Sequence, residues 1–330
     1  MGAVSIIFTG GTISMTVDPA SGGATPSLSG GGLLAQVDAA GMPELRTIDW
    51  GQLPASQFGF DQVLDIGKVI QGEADDDHVD GVVVVQGTDS LEETSFAWDL
   101  LVHTDKPVVV VGAMRNASQK GFDGPDNLRN AILAAANPAL RGTGVTVVMA
   151  GQIHGADDVV KTHTTAYATF DSPNFGPLGY VGPTGTRLAR TRVPVRLPRV
   201  PRAVEASVAL VVAVLGMSET AIAGEHGAAG YVIASMGAGN TDARILAAAR
   251  GWLSQGLPVV LTSRCPSGSV QSGYGFDGGS STWYEAGALF AGTLNPIKAR
   301  VALVLALAAG LDSRELAALF GAFGGGSLEA

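Results

Sequence analysis

Cysteine is nearly missing. Cys265 stands alone in 330 residues, which excludes an intrachain disulfide and any cysteine-based metal site. A solitary cysteine of this kind reads as a small buried residue. Charge is scarce too: Asp, Glu, Lys and Arg together make up 15% of the chain, which argues against long disordered tails. The balance is acidic, with a net charge of -10, whereas nucleic-acid binding needs a basic footprint. No apolar stretch reaches the roughly 20 residues that span a bilayer. The apolar run at residues 4–8 is too short for a signal-peptide core, so the expected setting is soluble and cytoplasmic, with a leader already removed as the alternative. No HExxH, paired CxxC or carboxylate cluster marks a metal site, and the Gly-rich turn after the first apolar run has the form of neither GxGxxG nor GxxxxGK(S/T), which argues against a nucleotide site there. The run Asp75-Asp76-Asp77-His78 reads as a solvated turn before a strand.

What the chain has is apolar residues (46%) and glycine, 46 of them, the mixture of buried parallel strands and tight turns. Its length suits two domains and a large core. Two short Gly-Thr signatures each follow an apolar run: Thr9-Gly10-Gly11-Thr12 after Val4-Ser5-Ile6-Ile7-Phe8, and Gln86-Gly87-Thr88-Asp89-Ser90 after Gly81-Val82-Val83-Val84-Val85. In an open parallel sheet, ligands bind beyond the carboxyl ends of the strands. Two strands ending in Gly-Thr therefore bring two hydroxyls to one site. Gly11 and Gly87 let the backbone turn sharply and approach a small ligand.

Apolar runs alternate with amphipathic stretches, as in β-α-β units. Strands are expected at 4–9, 81–86, 107–111 and 145–150, and helices at 90–101 and 124–136, the first capped by Asp89 or Ser90. A proline- and arginine-rich stretch, 187–205, reads as an extended linker packed on acidic surfaces. Beyond it, strands at 208–215, 230–235 and 258–262 and helices at 242–255 and 298–309 form a second domain. The fold class is α/β: a large N-terminal domain (1–186) with a mostly parallel sheet flanked by helices, and a smaller C-terminal α/β domain (206–330). The glycine-rich run at 321–326 reads as a flexible end.

Together the blocks resemble the bacterial-type L-asparaginases. Besides the two Gly-Thr signatures they are Lys106-Pro107-Val108-Val109-Val110-Val111-Gly112-Ala113-Met114-Arg115, Gly124-Pro125-Asp126-Asn127-Leu128, Val160-Lys161-Thr162-His163-Thr164, Gly239-Asn240, and Gly292-Thr293-Leu294-Asn295-Pro296. The resemblance implies an amidohydrolase that turns L-asparagine into L-aspartate and ammonia through a threonine nucleophile and an acyl-enzyme. A glutaminase-asparaginase, a D-asparagine-accepting enzyme and a catalytically weak amino-acid-binding homologue stay open beside it. It implies no cofactor and no metal. The partners are a small amino-acid amide and further copies of the chain in a dimer of dimers, without nucleic acid or membrane.

By the same resemblance Thr12 is the nucleophile, with Thr88, Asp89 and Lys161 as a second catalytic group; nucleophilic attack by Thr88 with Thr12 as helper remains the alternative. A hydroxyl is a weak nucleophile and needs a base or polarising partner, which a lysine amine beside it supplies. Ser56 and Gln57 match the pair that holds the substrate's α-carboxylate and backbone atoms, and Gly11 and Gly87 line the substrate. Asn240 matches a second-domain residue that reaches the neighbouring subunit's site. Two departures stand out. The family's lid carries a tyrosine, yet residues 14–32 hold none, and Thr25 is the nearest hydroxyl by position. The family's second-domain acid has no convincing counterpart, since only Asp277 and Glu285 lie between Arg264 and Gly292.

Overall fold

The computed structural model describes residues 2–17, 22–26, 29–182, 185–223 and 227–325. The chain divides into two compact units, Met1–Arg196 and Leu197–Ala330.

The first unit is built around β1 (Ala3–Phe8). A short hairpin, β2 (Met15–Val17) and β3 (Ala24–Pro26), follows, then α1 (Gly30–Leu34), β4 (Leu45–Asp49) and α2 (Phe60–Asp75). Next come β5 (Val79–Val85), α3 (Leu91–Leu101), β6 (Val108–Val111), α4 (Gly124–Ala135) and β7 (Val145–Met149). The unit closes with β8 (Gln152–Gly155), the short pair β9 (Val160–Lys161) and β10 (Phe170–Asp171), β11 (Gly179–Gly182) and β12 (Gly185–Leu188). Eight strands form one sheet in the order β12-β11-β8-β7-β6-β5-β1-β4. The five from β4 to β7 run parallel; β8, β11 and β12 are antiparallel.

The parallel half is where the sequence is most uniformly apolar. All of β1 and β6 is buried, because helices cover both faces of a parallel sheet. Helix α3 is buried along most of its length. Trp98 fills the space beside Gly67 of α2 and donates its Nε1–H to the Val63 carbonyl at 2.9 Å. Fully burying a large apolar side chain contributes about 1.5–3 kcal/mol, so Phe96, Trp98 and Leu100 pin this helix firmly. The antiparallel edge begins at Ala150-Gly151, where φ is 48° and 75°. This two-residue turn reverses the chain and lets β8 pair with β7.

The expected linker, 187–205, is divided between the units. Residues 187–188 complete β12, and Arg192 is buried against Asp99 and Asp157.

The second unit carries a four-stranded parallel sheet, β13-β14-β15-β16. Its elements are β13 (Val208–Val212), α5 (Glu219–Ala223), β14 (Gly230–Ser235), α6 (Ala243–Ser254), β15 (Val259–Ser263), α7 (Ser280–Glu285), β16 (Leu289–Phe290), α8 (Pro296–Ala308) and α9 (Ser313–Phe320). Tyr231 and Trp252 stack with ring centroids 3.7 Å apart in its core. Two expectations change here. Cys265 is exposed, because it sits in the loop that leaves β15. Gly321–Gly325 follows α9 with a kink at Phe323 and Gly324, where the backbone is not helical, and Phe323 is buried, so an apolar anchor fixes most of what the glycines suggest is a free end. No helix among the described residues is long and apolar enough to cross a membrane.

Candidate active site

Three loops meet at the carboxyl ends of β1 and β5. Thr9 ties the strand ends together: its backbone N–H and its hydroxyl both donate to the Val85 carbonyl, each at 3.0 Å. Gly10 and Gly11 follow with φ of 106° and 95°, a region that favours glycine. A β-carbon on Gly11 would lie 2.2 Å from the Gly87 nitrogen. The two Gly-Thr motifs are therefore in backbone contact, and no larger residue fits between them. A β-carbon on Gly87 would in turn stand 2.9 Å from the Ala55 methyl. Ser90 fastens that third loop by donating its hydroxyl to the Ala55 carbonyl at 2.8 Å.

This packing places the residues singled out in the sequence. Thr12 opens a short 3-10 turn, Thr12–Ser14, and is half-buried. Ser56 and Gln57 sit in the turn Ala55–Gln57, exposed next to the second motif. Thr88 is buried at 5% exposure, and Lys161 reaches it from β9. The Lys161 Nζ donates to Thr88 Oγ1 at 2.9 Å and to Asp89 Oδ1 at 3.0 Å. A carboxylate, an amine and a hydroxyl so linked can pass a proton between the hydroxyl and a bound reactant.

The expected cap of α3 differs. Ser90 occupies the N-cap position but makes no side-chain cap bond; its hydroxyl goes to Ala55, and Asp89 faces Lys161. The neighbouring loop is set by Asp123, whose carboxylate accepts the Met114 and Arg115 N–H groups, each at 2.9 Å. A cavity of 160 Å³ adjoins the first turn, lined among others by Gly10, Ser14, Gly51 and Gln52, and reaches neither Thr88 nor Lys161.

The hairpin of β2 and β3, where the resemblance puts the lid, pairs Thr16 with Thr25; the Thr25 side chain lies outside the described residues. Tyr167, between β9 and β10, stands beside Arg115, whose guanidinium carbon is 5.8 Å from the ring centroid. Burial, then the nearby Asp123 and Asp126, pushes the Tyr167 phenol above its ordinary range. Asn240 belongs to the second unit. There it closes a tight turn with Met236 that depends on Gly239 at φ 119°. Asp277 is paired loosely with Arg250, at 3.6 Å.

Sequence reasoning passed over Glu92. Its carboxylate accepts the Lys161 backbone N–H at 2.9 Å, and it is buried. No local pattern in the sequence shows a partner 69 positions further on.

The chain matches the N-terminal asparaginase domain family over residues 3–194 and the glutaminase/asparaginase C-terminal domain family over residues 207–320. It is similar to "Probable L-asparaginase periplasmic" of Haemophilus influenzae, 34% identical over an alignment of 330 positions that covers 96% of this chain and 92% of that one. It is also 34% identical, over an alignment of 337 positions, to L-asparaginase 2 of Escherichia coli, with the same shares covered. A third relative, "Probable L-asparaginase" of Deinococcus radiodurans, is 33% identical over 333 residues, 96% of each chain.

Proposed function

Because the chain belongs to the asparaginase family, we propose that it hydrolyses the side-chain amide of L-asparagine to L-aspartate and ammonia. The observation that carries the reading is the Lys161 amine held against both Thr88 and Asp89, at 2.9 and 3.0 Å, beside the contact between the Gly-Thr turns. Thr12 Oγ attacks the amide carbon, and backbone N–H groups of the glycine turns stabilise the oxyanion. The C–N bond breaks, and the leaving nitrogen takes up the proton that the Thr12 hydroxyl gives up and departs as ammonia, giving a β-aspartyl ester on Thr12. Thr88 and Lys161 then take a proton from the water that hydrolyses this ester and return it to the Thr12 oxygen. Asp89 receives the substrate's α-ammonium group, and Ser56 and Gln57 receive its α-carboxylate, with Gly11 and Gly87 lining the chain between.

A second reading has Thr88 attack with Thr12 as helper. One observation favours it: the amine stands against Thr88 Oγ1. Acid quenching during turnover, followed by peptide mass analysis, separates the two by which threonine bears the aspartyl group.

Initial rates of ammonia release from L-asparagine, D-asparagine and L-glutamine test the substrate assignment. One methylene in a pocket is worth about 1–3 kcal/mol, so L-asparagine should lead L-glutamine by roughly ten-fold or more in kcat/KM. A preference for L-glutamine, or no ammonia from any of the three, refutes the assignment.

The proposal extends to assembly. Subunits pair so that Asn240 of one completes the site of another, and two pairs form a homotetramer, in keeping with closed symmetry as the common state of soluble oligomers. Light scattering beside activity on dilution tests this, and a fully active monomer refutes it. A cytoplasmic location goes with the same proposal. The Haemophilus relative's name places that protein in the periplasm, and cell fractionation decides for this one.

A further inference from the structure

The geometry points to Glu92 as a positioning residue that sets the reach of Lys161. This rests on the proposed role of Lys161 in amide hydrolysis. Lysine is a poor choice for a precise contact unless something holds it. Its amine ends a flexible four-carbon stem, and three rotatable donors impose no direction of their own. The strand that carries Lys161 is also short: β9 and β10 are two residues each. Such a hairpin fixes a backbone weakly on its own.

The segment 88–92 compensates by holding Lys161 at both ends. Thr88 Oγ1 and Asp89 Oδ1 accept from Nζ. Glu92 Oε2 accepts from the Lys161 backbone N–H at 2.9 Å. All three grips come from one short segment, Thr88 and Asp89 just before the Ser90 N-cap and Glu92 in the first turn of the buried helix α3. The helix N-terminus favours a carboxylate at Glu92, and an ionised acceptor makes a hydrogen bond roughly twice as strong as a neutral one. The Glu92 side chain is 92 positions into the chain and Lys161 is 69 further on, so the contact also ties the hairpin to the helix across the fold.

The far side of the hairpin is anchored separately. Thr162 donates its hydroxyl to the Thr169 carbonyl at 2.9 Å, and Asp158 accepts the Asn174 and Phe175 N–H groups at 3.1 and 2.8 Å. Those contacts hold the loop together but not its distance from Thr88. Glu92 supplies that distance. Without it the Lys161 backbone loses its hydrogen bond to α3, and a shift of about 1 Å in a reacting group costs on the order of 100-fold in rate.

The test compares Glu92→Gln and Glu92→Leu with the wild-type enzyme, reading kcat, KM for L-asparagine and Tm. Glutamine keeps an oxygen acceptor and leucine removes it at similar volume. Glu92→Leu should lose on the order of 10–100-fold in kcat with KM little changed, and Glu92→Gln should restore most of that loss. Wild-type kcat in Glu92→Leu overturns the proposal. So does a loss shared equally by Glu92→Gln, or one that only follows a fall in Tm. Hydrogen exchange at the Lys161 amide of the wild-type protein is independent of any variant. Slow exchange is expected, and exchange at the rate of an unprotected amide overturns the contact. If the wild-type enzyme releases no ammonia, it is the hydrolase reading that fails, while the exchange result still judges the grip.

Discussion

Helix α3 carries an ion pair near each end, and the two are built in opposite ways. At its far end Asp99 is 1% exposed and Arg192 6%. The guanidinium forks onto both Asp99 oxygens and also donates to the Thr143 carbonyl at 3.2 Å. Its Nε lies 3.2 Å from Asp157, and Asp99 further accepts the Val145 N–H at 2.7 Å. Burial works against the Arg192 charge, but the two aspartates outweigh it and raise the guanidinium above its ordinary range. At the near end Lys161 is 17% exposed and Asp89 66%, with one contact from the amine to each of its two partners. An aspartate near a helix C-terminus opposes the helix dipole, so Asp99 needs a cation that never leaves. An amine in a half-open crevice can exchange its partners with a substrate. The closed pair belongs to the frame, and the open pair is the one available for chemistry.

The largest effect should come from breaking the closed pair. Removing one partner of a buried ion pair costs about 3–5 kcal/mol, because the other charge is left unpaired. Arg192→Met should therefore lower the stability of the first unit by that amount in denaturant titration, while kcat below the melting transition stays near wild type. A loss under about 1 kcal/mol would mean the fork is not part of the frame.

Thr88→Val is next. It removes one hydroxyl at a strand end, and losing a proton-transfer partner costs at least roughly 100-fold in rate without a matching change in Tm. A variant that keeps more than about a tenth of wild-type kcat, a loss under 1.4 kcal/mol, would take Thr88 out of the proton path.

The smallest effect sharpens the comparison from outside. Arg199 and Glu315, in the second unit, also form a fork, at 2.8 and 2.7 Å, but in solvent. The hydrogen bonds from Arg199, then from the Asp312 backbone, hold the Glu315 carboxyl down to about 2. A lowered carboxyl binds its proton more weakly in the folded state. Its contribution is thus present above the ordinary glutamate value and lost as pH falls from there through about 2. Glu315→Gln should flatten the Tm-versus-pH curve in that window and barely move Tm at neutral pH. A neutral-pH drop as large as that of Arg192→Met would show that fork geometry, and not burial, sets the worth of these pairs.

The open end of α3 was more legible than the closed one. Apolar runs announced β1, β5, β6 and β7 to within two residues, since a parallel strand buried on both faces leaves an uninterrupted signature. Glycine before Thr12 and Thr88 marked the turns, and the structure gives the reason in the contact of Gly11 with Gly87. Arg192 was hidden in a basic stretch that reads as a linker. Nothing local shows that its partner, Asp99, lies 93 positions earlier. Lys161 and Thr88, 73 positions apart, were linked only by resemblance to a family. Glu92 was passed over because its partner, the Lys161 backbone, lies 69 positions further on. The antiparallel strands β8, β11 and β12 escaped notice because they are short and only partly apolar.

The most direct test is the Lys161→Met enzyme, with kcat, KM and Tm measured beside wild type on L-asparagine. The account predicts a kcat about 10²–10⁴-fold lower, as for loss of a proton-transfer group, with KM and Tm little changed. Wild-type kcat with a raised KM would recast Lys161 as a binding residue. Activity lost only in step with Tm would make the open pair another piece of frame, and either result contradicts the account.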